Sequence, residues 1–474
     1  MKRILVRAGM SPLVGYDPMD VIYNNLIGNN IGNMLFPYSV SRTLMREDVL
    51  IDTINPAKKC TKWDIKTINE KYDCLVLPFA NAFRASFIGE LKKVTKLVKQ
   101  LKIPCIVVGV GAQAGIDKTI KNKELDDAVK EFMKAILQKS AIVGLRGEFT
   151  AEYLKQLGFT AEKDYTVIGC PSMYMYGKEL PAMEVKELTP DSNVSTNSKI
   201  SLSQKFHDFM YRSRQAIPNY HYVPQVIEEI SRMYMGKPYP SSFCKKVPNH
   251  FPVEFTDPMY QSGKGITFVN VPSWLNYLSE KDFSFGSRIH GNIASILAGT
   301  PCYIVVSDSR IKELVDYHHI PYMLEKDLKD DTNIFDLHNK ADFGAIRKGH
   351  EERFMRYLDF LTQNGLKTIY DKDGNIEKSV PFDERLKETT FAPRVEAFSA
   401  VSAEEQLNRL QGMHSQVHKQ NVYFKNVSPG IKNIVSDWFH INVLGQKPGP
   451  HYSRQPLVRR YKAELKRTKK KVEE

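Results

Sequence analysis

The stretch Phe283-Ser-Phe-Gly-Ser-Arg-Ile-His-Gly291 holds the residues best suited to chemistry. It runs on through Asn-Ile-Ala-Ser-Ile-Leu-Ala-Gly299 into Thr-Pro-Cys-Tyr-Ile-Val-Val306. A short apolar strand ends at Gly286 and a helix begins near Ser287. The unpaired amides and positive dipole end of that helix therefore face the side where strand C-termini open. An anion belongs there. Arg288 and His290 supply charge-assisted donors, and Gly286 and Gly291 permit close backbone approach. The same residues also have a purely structural reading, in which Ser287 caps the helix, Arg288 forms an ion pair and His290 is a satisfied surface histidine.

Four weaker segments point the same way. Val107-Val-Gly-Val-Gly-Ala-Gln113 ends an apolar strand in a turn carrying Gly109, Gly111 and Gln113. It lacks the third glycine of the dinucleotide fingerprint, which disfavours nicotinamide cofactors. Gly144-Leu-Arg-Gly-Glu-Phe-Thr150 places Arg146 at another strand end, as a ligand cation or as a structural one. Gly28-Asn-Asn-Ile-Gly-Asn33 is a small-residue turn able to cradle an acceptor or an anion, or simply to turn the chain. Ser307-Asp-Ser-Arg310 comes directly after the next strand, so Arg310 can point into the crevice of Arg288.

Parallel-sheet α/β units would position such residues, and short apolar runs do alternate with helix-like segments over roughly the first 330 residues. The first series predicts strands at Arg3 to Arg7, Cys74 to Pro78, Cys105 to Val110, Ala141 to Leu145 and Tyr165 to Ile168. Its helices are expected at Ile31 to Met45, Ala85 to Leu101, Leu125 to Lys139 and Glu148 to Leu157. A Pro/Ser/Thr/Asn-rich stretch from Glu184 reads as a connector. The second series predicts strands at Ile200 to Ser203, Tyr220 to Val223, Phe283 to Phe285 and Cys302 to Val306. Its helices are expected at Gln225 to Met235, Ser273 to Glu280, Arg288 to Leu297 and Arg310 to His318, and one further helix spans Phe343 to Leu361. The implied domains are 1–183, a linker at 184–198, 199–335, a closing helix within 336–370, and a polar extension at 371–474 that adds little core.

Length and composition fit this plan. A chain of 474 residues has core material for two to four domains, and 42% hydrophobic with 26% charged residues excludes disordered and collagen-like classes. The longest apolar stretch, Cys105 to Ala112, is far too short to span a membrane, and no signal-peptide pattern opens the chain, so a cytoplasmic protein is expected. Six cysteines without CxxC spacing predict neither disulfides nor a zinc site, and no HExxH spacing suggests another metal. The net charge of +13 is uneven: residues 451–474 carry nine Lys/Arg against three Asp/Glu. That tail reads as a solvated segment or as an adhesive for an anionic membrane surface. Aromatic and basic residues do not interleave, which argues against nucleic acid.

Taken together, Gly109-x-Gly111-x-Gln113 after a strand, Arg146-Gly-x-x-Thr150 into a helix, Ser287-Arg-Ile-His-Gly291 with Gly299-Thr-Pro301 beyond it, and a cation twenty residues after the histidine resemble the polysaccharide pyruvyl transferases, over roughly residues 20 to 325. The resemblance implies two Rossmann-like domains facing a cleft in a GT-B-like arrangement. It implies phosphoenolpyruvate as co-substrate with no resident cofactor or metal, and a sugar or lipid-linked glycan of a cell-surface polysaccharide precursor as acceptor. His290 becomes the catalytic candidate. Arg146, Arg288, Arg310, Ser287, Gly291, Gly109, Gly111, Gln113 and Asn33 become the binding set. Three positions depart from the family pattern: Asn33 stands where Asp is usual, Cys170 precedes Pro171 where an aspartate is frequent, and Arg310 replaces a lysine. Two other functions fit the same residues, a GT-B nucleotide-sugar glycosyltransferase and a catalytically silent adaptor for an anionic glycan or membrane.

Overall fold

The computed structural model describes residues 1–55, 62–116, 119–236 and 247–427. The chain divides into two compact units, Met1–Ser402 and Ala403–Glu474. The first contains two Rossmann-like parallel sheets with helices on their faces.

In the first half the strands β1 (Lys2–Arg7), β2 (Val49–Ile54), β3 (Cys74–Pro78) and β4 (Cys105–Val108) form a parallel sheet in the order β2-β1-β3-β4. A bridge from Val110 to Leu145 leads on to the parallel pair β5 (Val143–Leu145) and β6 (Tyr165–Val167). β3 and β4 are buried at every position, which is why they read as unbroken apolar runs. The covering helices are α1 (Leu35–Leu44), α2 (Ile88–Gln100), α3 (Lys123–Leu137) and α4 (Glu148–Gln156). α3 shows how they form. Asn122 caps it by accepting from Leu125 N, and Leu125, Ala128, Val129, Phe132, Met133 and Ile136 make one buried face. Phe132 lies 5.9 Å from the Phe79 ring and 6.0 Å from Phe83, edge to face, so truncating it to Ala would cost about 3–5 kcal/mol.

The second half repeats the plan. Strands β7 (Val194–Asn197), β8 (Tyr220–Tyr222), β10 (Phe283–Gly286), β11 (Cys302–Val306) and β12 (Tyr322–Leu324) pair in parallel in the order β12-β11-β10-β7-β8. Its helices are α5 (Gln204–Ala216), α6 (Ile227–Met235), α7 (Val271–Ser279), α8 (Ile289–Leu297) and α9 (Ser309–His318). A short strand β9 (Ile266–Thr267) pairs antiparallel with β13 (Val395–Glu396).

One expected strand is corrected. It is not at Ile200 to Ser203 but at Val194–Asn197, inside the stretch read as a linker, and it is central to the sheet. Val-Ser-Thr-Asn reads as a connector because three of its four side chains are polar. They can be buried because partners meet them: Thr196 Oγ1 donates to His221 O at 3.1 Å, and Asn197 Oδ1 accepts from Arg288 N at 2.7 Å. The single helix expected at Phe343 to Leu361 is a 3₁₀ turn, Phe343–Arg347, followed by α10 (His350–Gln363); Gly349, at φ +68°, separates them.

α10 returns to the first half. Asn364 at its end accepts from Ala141 N at 3.0 Å and donates to Ile142 O at 3.1 Å, and Tyr357 stacks on Tyr174 with ring centroids 5.0 Å apart. Beyond residue 375, where little core is expected, Phe382, Val395 and Ala397 are buried. Asp383 holds Arg42 by two bonds, 2.9 and 2.7 Å. These residues dock one at a time on a finished surface, so they leave no periodic pattern in the sequence.

Of the second unit, α11 (Ala403–Val427) is described; it begins with Glu404 and Glu405, as the helix dipole favours, and Glu405 pairs with Arg409 at 2.7 Å. Cys60, Cys244, the tail at 451–474 and the helix that its pattern allows at Leu457 to Lys471 lie outside the described residues. Among the described residues no helix is long and apolar enough to cross a membrane.

Candidate functional site

A cavity of about 620 Å³ opens where strands of both sheets end. Its wall is assembled from the segments after β1, β3, β7, β10 and β11, the place where open α/β sheets take ligands.

The segment after β10 enters it most directly. Gly286, at φ +149°, passes so near β7 that a Cβ would lie 1.8 Å from Asn197 O, so only glycine fits. Arg288 occupies the N-cap position of α8 without a side-chain capping bond, and Ser287 Oγ is buried with no partner among the described residues. Arg288 Nε donates to Ser198 O at 2.8 Å, and Nη2 meets Glu229 Oε1 at 3.0 Å. Glu229 is 2% exposed. Burial raises its carboxyl above the ordinary range against the pull of Arg288, and Tyr222 OH donates to its second oxygen at 3.2 Å. The ion-pair reading of Arg288 is thus realised. The pair also aims the guanidinium, because Arg288 still lines the cavity.

His290 lines the cavity too. The expectation that it brings positive charge is corrected: burial, then the charges of Arg146 and Arg310, hold the imidazole well below its ordinary value, so the ring is neutral. Phe36 lies 5.7 Å from it, Cys170 Sγ is 3.8 Å from Nε2, and Gly32 backs on its Cβ so closely that no side chain would fit there.

Arg310, near the start of α9, lines the same cavity as Arg288. Its Nη2 lies 3.3 Å from Asp308 Oδ2, an oxygen it shares with Lys199 Nζ at 3.3 Å, and its Nε is buried without a partner. Burial pushes the Asp308 carboxyl up, but Arg310 and Lys199 outweigh it and hold it below the ordinary carboxylate range. One carboxylate between two cations leaves local positive charge to spare.

The remaining expected residues fall into two groups. Asn33 lines the cavity, and its Nδ2 donates to Ile27 O at 3.1 Å and Gly28 O at 2.7 Å. A carboxylate could not make those bonds, so the amide holds its own turn. Gly109, Gly111, Gln113, Arg146 and Gly291 do not line the cavity. Arg146 is fully buried, with Nε on Gly109 O at 2.8 Å and Nη2 on Phe79 O at 3.3 Å. Gly111 leaves room for it, since a Cβ there would stand 3.0 Å from Arg146 Cδ. Gln113 Oε1 accepts from Asn81 Nδ2 and so orients a side chain that does reach the cavity. Gly291 makes room for Gln225, whose buried Nε2 would be 2.0 Å from a Cβ and has no partner.

Arg7, Arg84, Lys199 and Gln225 also line the cavity, and the sequence motifs do not single them out. The rule that selects Arg146, a cation at a strand's C-terminal end, applies equally to Arg7 at the end of β1. Lys199 escapes because a strand expected at Ile200 to Ser203 puts the lysine before a strand and not after one. Among the described residues no group of three or more His, Cys, Asp or Glu side chains is placed to hold a metal ion.

A family model described as polysaccharide pyruvyl transferase matches residues 30–309. Among curated proteins no sequence matches the chain. A solved protein of uncharacterised function from Klebsiella pneumoniae is 13% identical, with 68% of this chain and 92% of that one covered at a TM-score of 0.37. A UDP-GlcNAc 2-epimerase from Methanocaldococcus jannaschii is 12% identical over 76% of this chain and 99% of its own, at a TM-score of 0.42.

Proposed function

Because the chain belongs to the polysaccharide pyruvyl transferase family, and so to a family of transferases acting on sugars, we propose that it moves a pyruvyl group from phosphoenolpyruvate to a sugar of a cell-surface polysaccharide precursor. The observation that carries this reading is the convergence on one cavity of Arg288, Arg310 and Lys199 with the open first turn of α8. Phosphoenolpyruvate carries a phosphate and a carboxylate, and cations with unpaired amides neutralise and orient both. The unpartnered Ser287 Oγ, Gln225 Nε2 and Arg310 Nε add donors that lack a partner in the protein alone. About 620 Å³ leaves space for an acceptor sugar beside the donor.

The reaction protonates the enol carbon, lets a sugar hydroxyl attack the resulting cationic carbon, expels phosphate and closes the ketal through a second hydroxyl. Of the two hydroxyl protons released, one balances the new methyl hydrogen and the other leaves with phosphate. Arg288, Arg310 and Lys199 hold the departing phosphate, and His290 carries the proton, a role typically worth about 10² to 10⁴ in rate.

Phosphate release from phosphoenolpyruvate that depends on an added sugar or lipid-linked glycan tests the reading. Thermal protection by the donor at about 100 times its dissociation constant should reach ~2.7 kcal/mol. Release of nucleotide from a sugar nucleotide would favour the glycosyltransferase reading, and donor binding with no turnover the silent adaptor. The charge of residues 451–474 further suggests peripheral adhesion to an anionic inner leaflet near lipid-linked acceptors, at about 1 kcal/mol per basic residue at the surface. Deleting them should abolish low-salt sedimentation with anionic liposomes and spare turnover on a soluble acceptor.

A further inference from the structure

The neutral state of His290 poses a chemical problem for a proton donor, and the residue beneath it offers an answer. Cys170 comes after Gly169 in the loop beyond β6, and its side chain is fully buried. Its backbone N donates to His318 Nε2 at 2.9 Å, which fixes the loop, and its Sγ lies 3.8 Å from His290 Nε2, within reach of a hydrogen bond made by sulfur. That is the ring's only hydrogen-bond partner among the described residues, so Nδ1 is left for a ligand in the cavity that His290 lines. Other elements also face the ring. α1 contributes Phe36, the Gly28–Asn33 turn contributes Gly32, the loop after β5 contributes the charge of Arg146, and α9 contributes that of Arg310.

We propose that Cys170 is a relay residue acting through His290: its thiol donates to Nε2, so the neutral ring presents an Nδ1–H to the donor, and the thiol proton moves to Nε2 as the Nδ1 proton leaves. This rests on the transferase reading above. In the first step the Nδ1–H bond breaks and a C–H bond forms at the enol carbon, while S–H breaks and Nε2–H forms. The ring stays neutral throughout and the charge left behind is a thiolate. The relay spares the ring the positive charge that burial and the two arginines oppose. In the return step the attacking sugar hydroxyl gives its proton to Nδ1 and Nε2 gives its proton back to sulfur. The cycle closes with the hydroxyl proton exchanged for the one now on the methyl group, and no water is needed between Cys170 and His290.

Serine separates a relay from simple positioning, because a hydroxyl keeps the hydrogen bond to Nε2 but does not give up its proton at neutral pH. In ¹⁵N spectra of histidine-labelled full-length protein, His290 should be protonated on Nδ1 in wild type and in Cys170→Ser, and should shift toward Nε2 protonation in Cys170→Ala. In phosphoenolpyruvate-dependent phosphate release, both variants should lose about 10² in kcat, the low end of a general acid's contribution, with the donor KM unchanged. Wild-type kcat in Cys170→Ser overturns the relay and leaves the transferase reading standing. Resting Nε2 protonation in wild type overturns it as well. Failure of the wild-type protein to release phosphate with any acceptor would sink both.

Discussion

Two glycine turns, Gly109-Val-Gly111 after β4 and Gly286-Ser-Arg288 after β10, end buried strands in the two halves, and each has an arginine close by. They do opposite things. At the first, Arg146 folds inward onto the carbonyls of Gly109 and Phe79, and Gly111 and Gly147 press against Glu313 of α9 in the other half. Gly111 and Gly147 serve packing between the halves, while Gly109 makes room for Pro171. At the second, α8 begins within three residues, and Arg288 is held at the cavity wall by a carboxylate set behind it. The helix start beside each arginine differs: that of α8 opens on the cavity, whereas that of α4, beside Arg146, is covered by Glu313, which accepts from Thr150 N at 3.1 Å.

The largest effect expected from this contrast is at His290. His290→Ala should lower kcat for donor-dependent phosphate release by about 10² to 10⁴ with little change in melting temperature, and a loss of only a few-fold would remove it from the chemistry.

Next come the two arginines. Arg288→Ala should weaken donor binding about 10- to 100-fold in a calorimeter, as loss of a charge-assisted bond of about 1.5–3 kcal/mol implies, and it should destabilise the fold by leaving Glu229 buried and unpaired. Adding Glu229→Gln should restore stability without restoring affinity. Arg146→Ala should show the reverse pattern, a drop in stability from two unpaired carbonyls with donor affinity changed far less. Equal losses of affinity in both variants would erase the distinction between the turns.

A smaller effect is expected at Arg310. Arg310→Ala should raise the donor KM strongly, whereas Arg310→Lys, which keeps the charge but lacks the unpartnered Nε, should retain substantial activity. Equal damage from both would mean that the planar fork, more than the charge, is what the cavity uses.

The smallest effect separates the halves by acid. All 12 histidines lie beyond residue 206, and burial holds His207 and His221, both in the second half, each down to about 4. A folded value below the ordinary one means that the stability these residues contribute is present above about pH 6.5 and is lost as pH falls toward about 4. Deuterium exchange at pH 5 compared with pH 7 should therefore rise in β7, β8 and α5 before it rises in β1 to β4. A simultaneous rise would show that the histidines do not set the acid limit.

Much of this architecture is legible in the sequence. β3, β4 and β11 are unbroken apolar runs and α3 has a clean 3.6-residue period, because burial on both sheet faces or on one helix face constrains every residue in the element. β7 is not legible, because its polar side chains are tolerated only through partners on strands distant in sequence. Arg288 and the helix entrance at α8 are fixed locally by a strand, a glycine and a helix in succession, and Arg310 by a strand running into a helix.

By itself, then, the sequence determined the two-sheet plan, the position of the α8 entrance and the residue types around it, since those depend on local propensity and burial. Tertiary structure alone decided that Arg146 turns inward and Arg288 outward, that His290 is neutral, and that Cys170, 120 residues away in the chain, sits under its ring. Orientation, electric field and proton affinity depend on what packs against a residue from elsewhere in the chain, and a linear motif does not specify those neighbours.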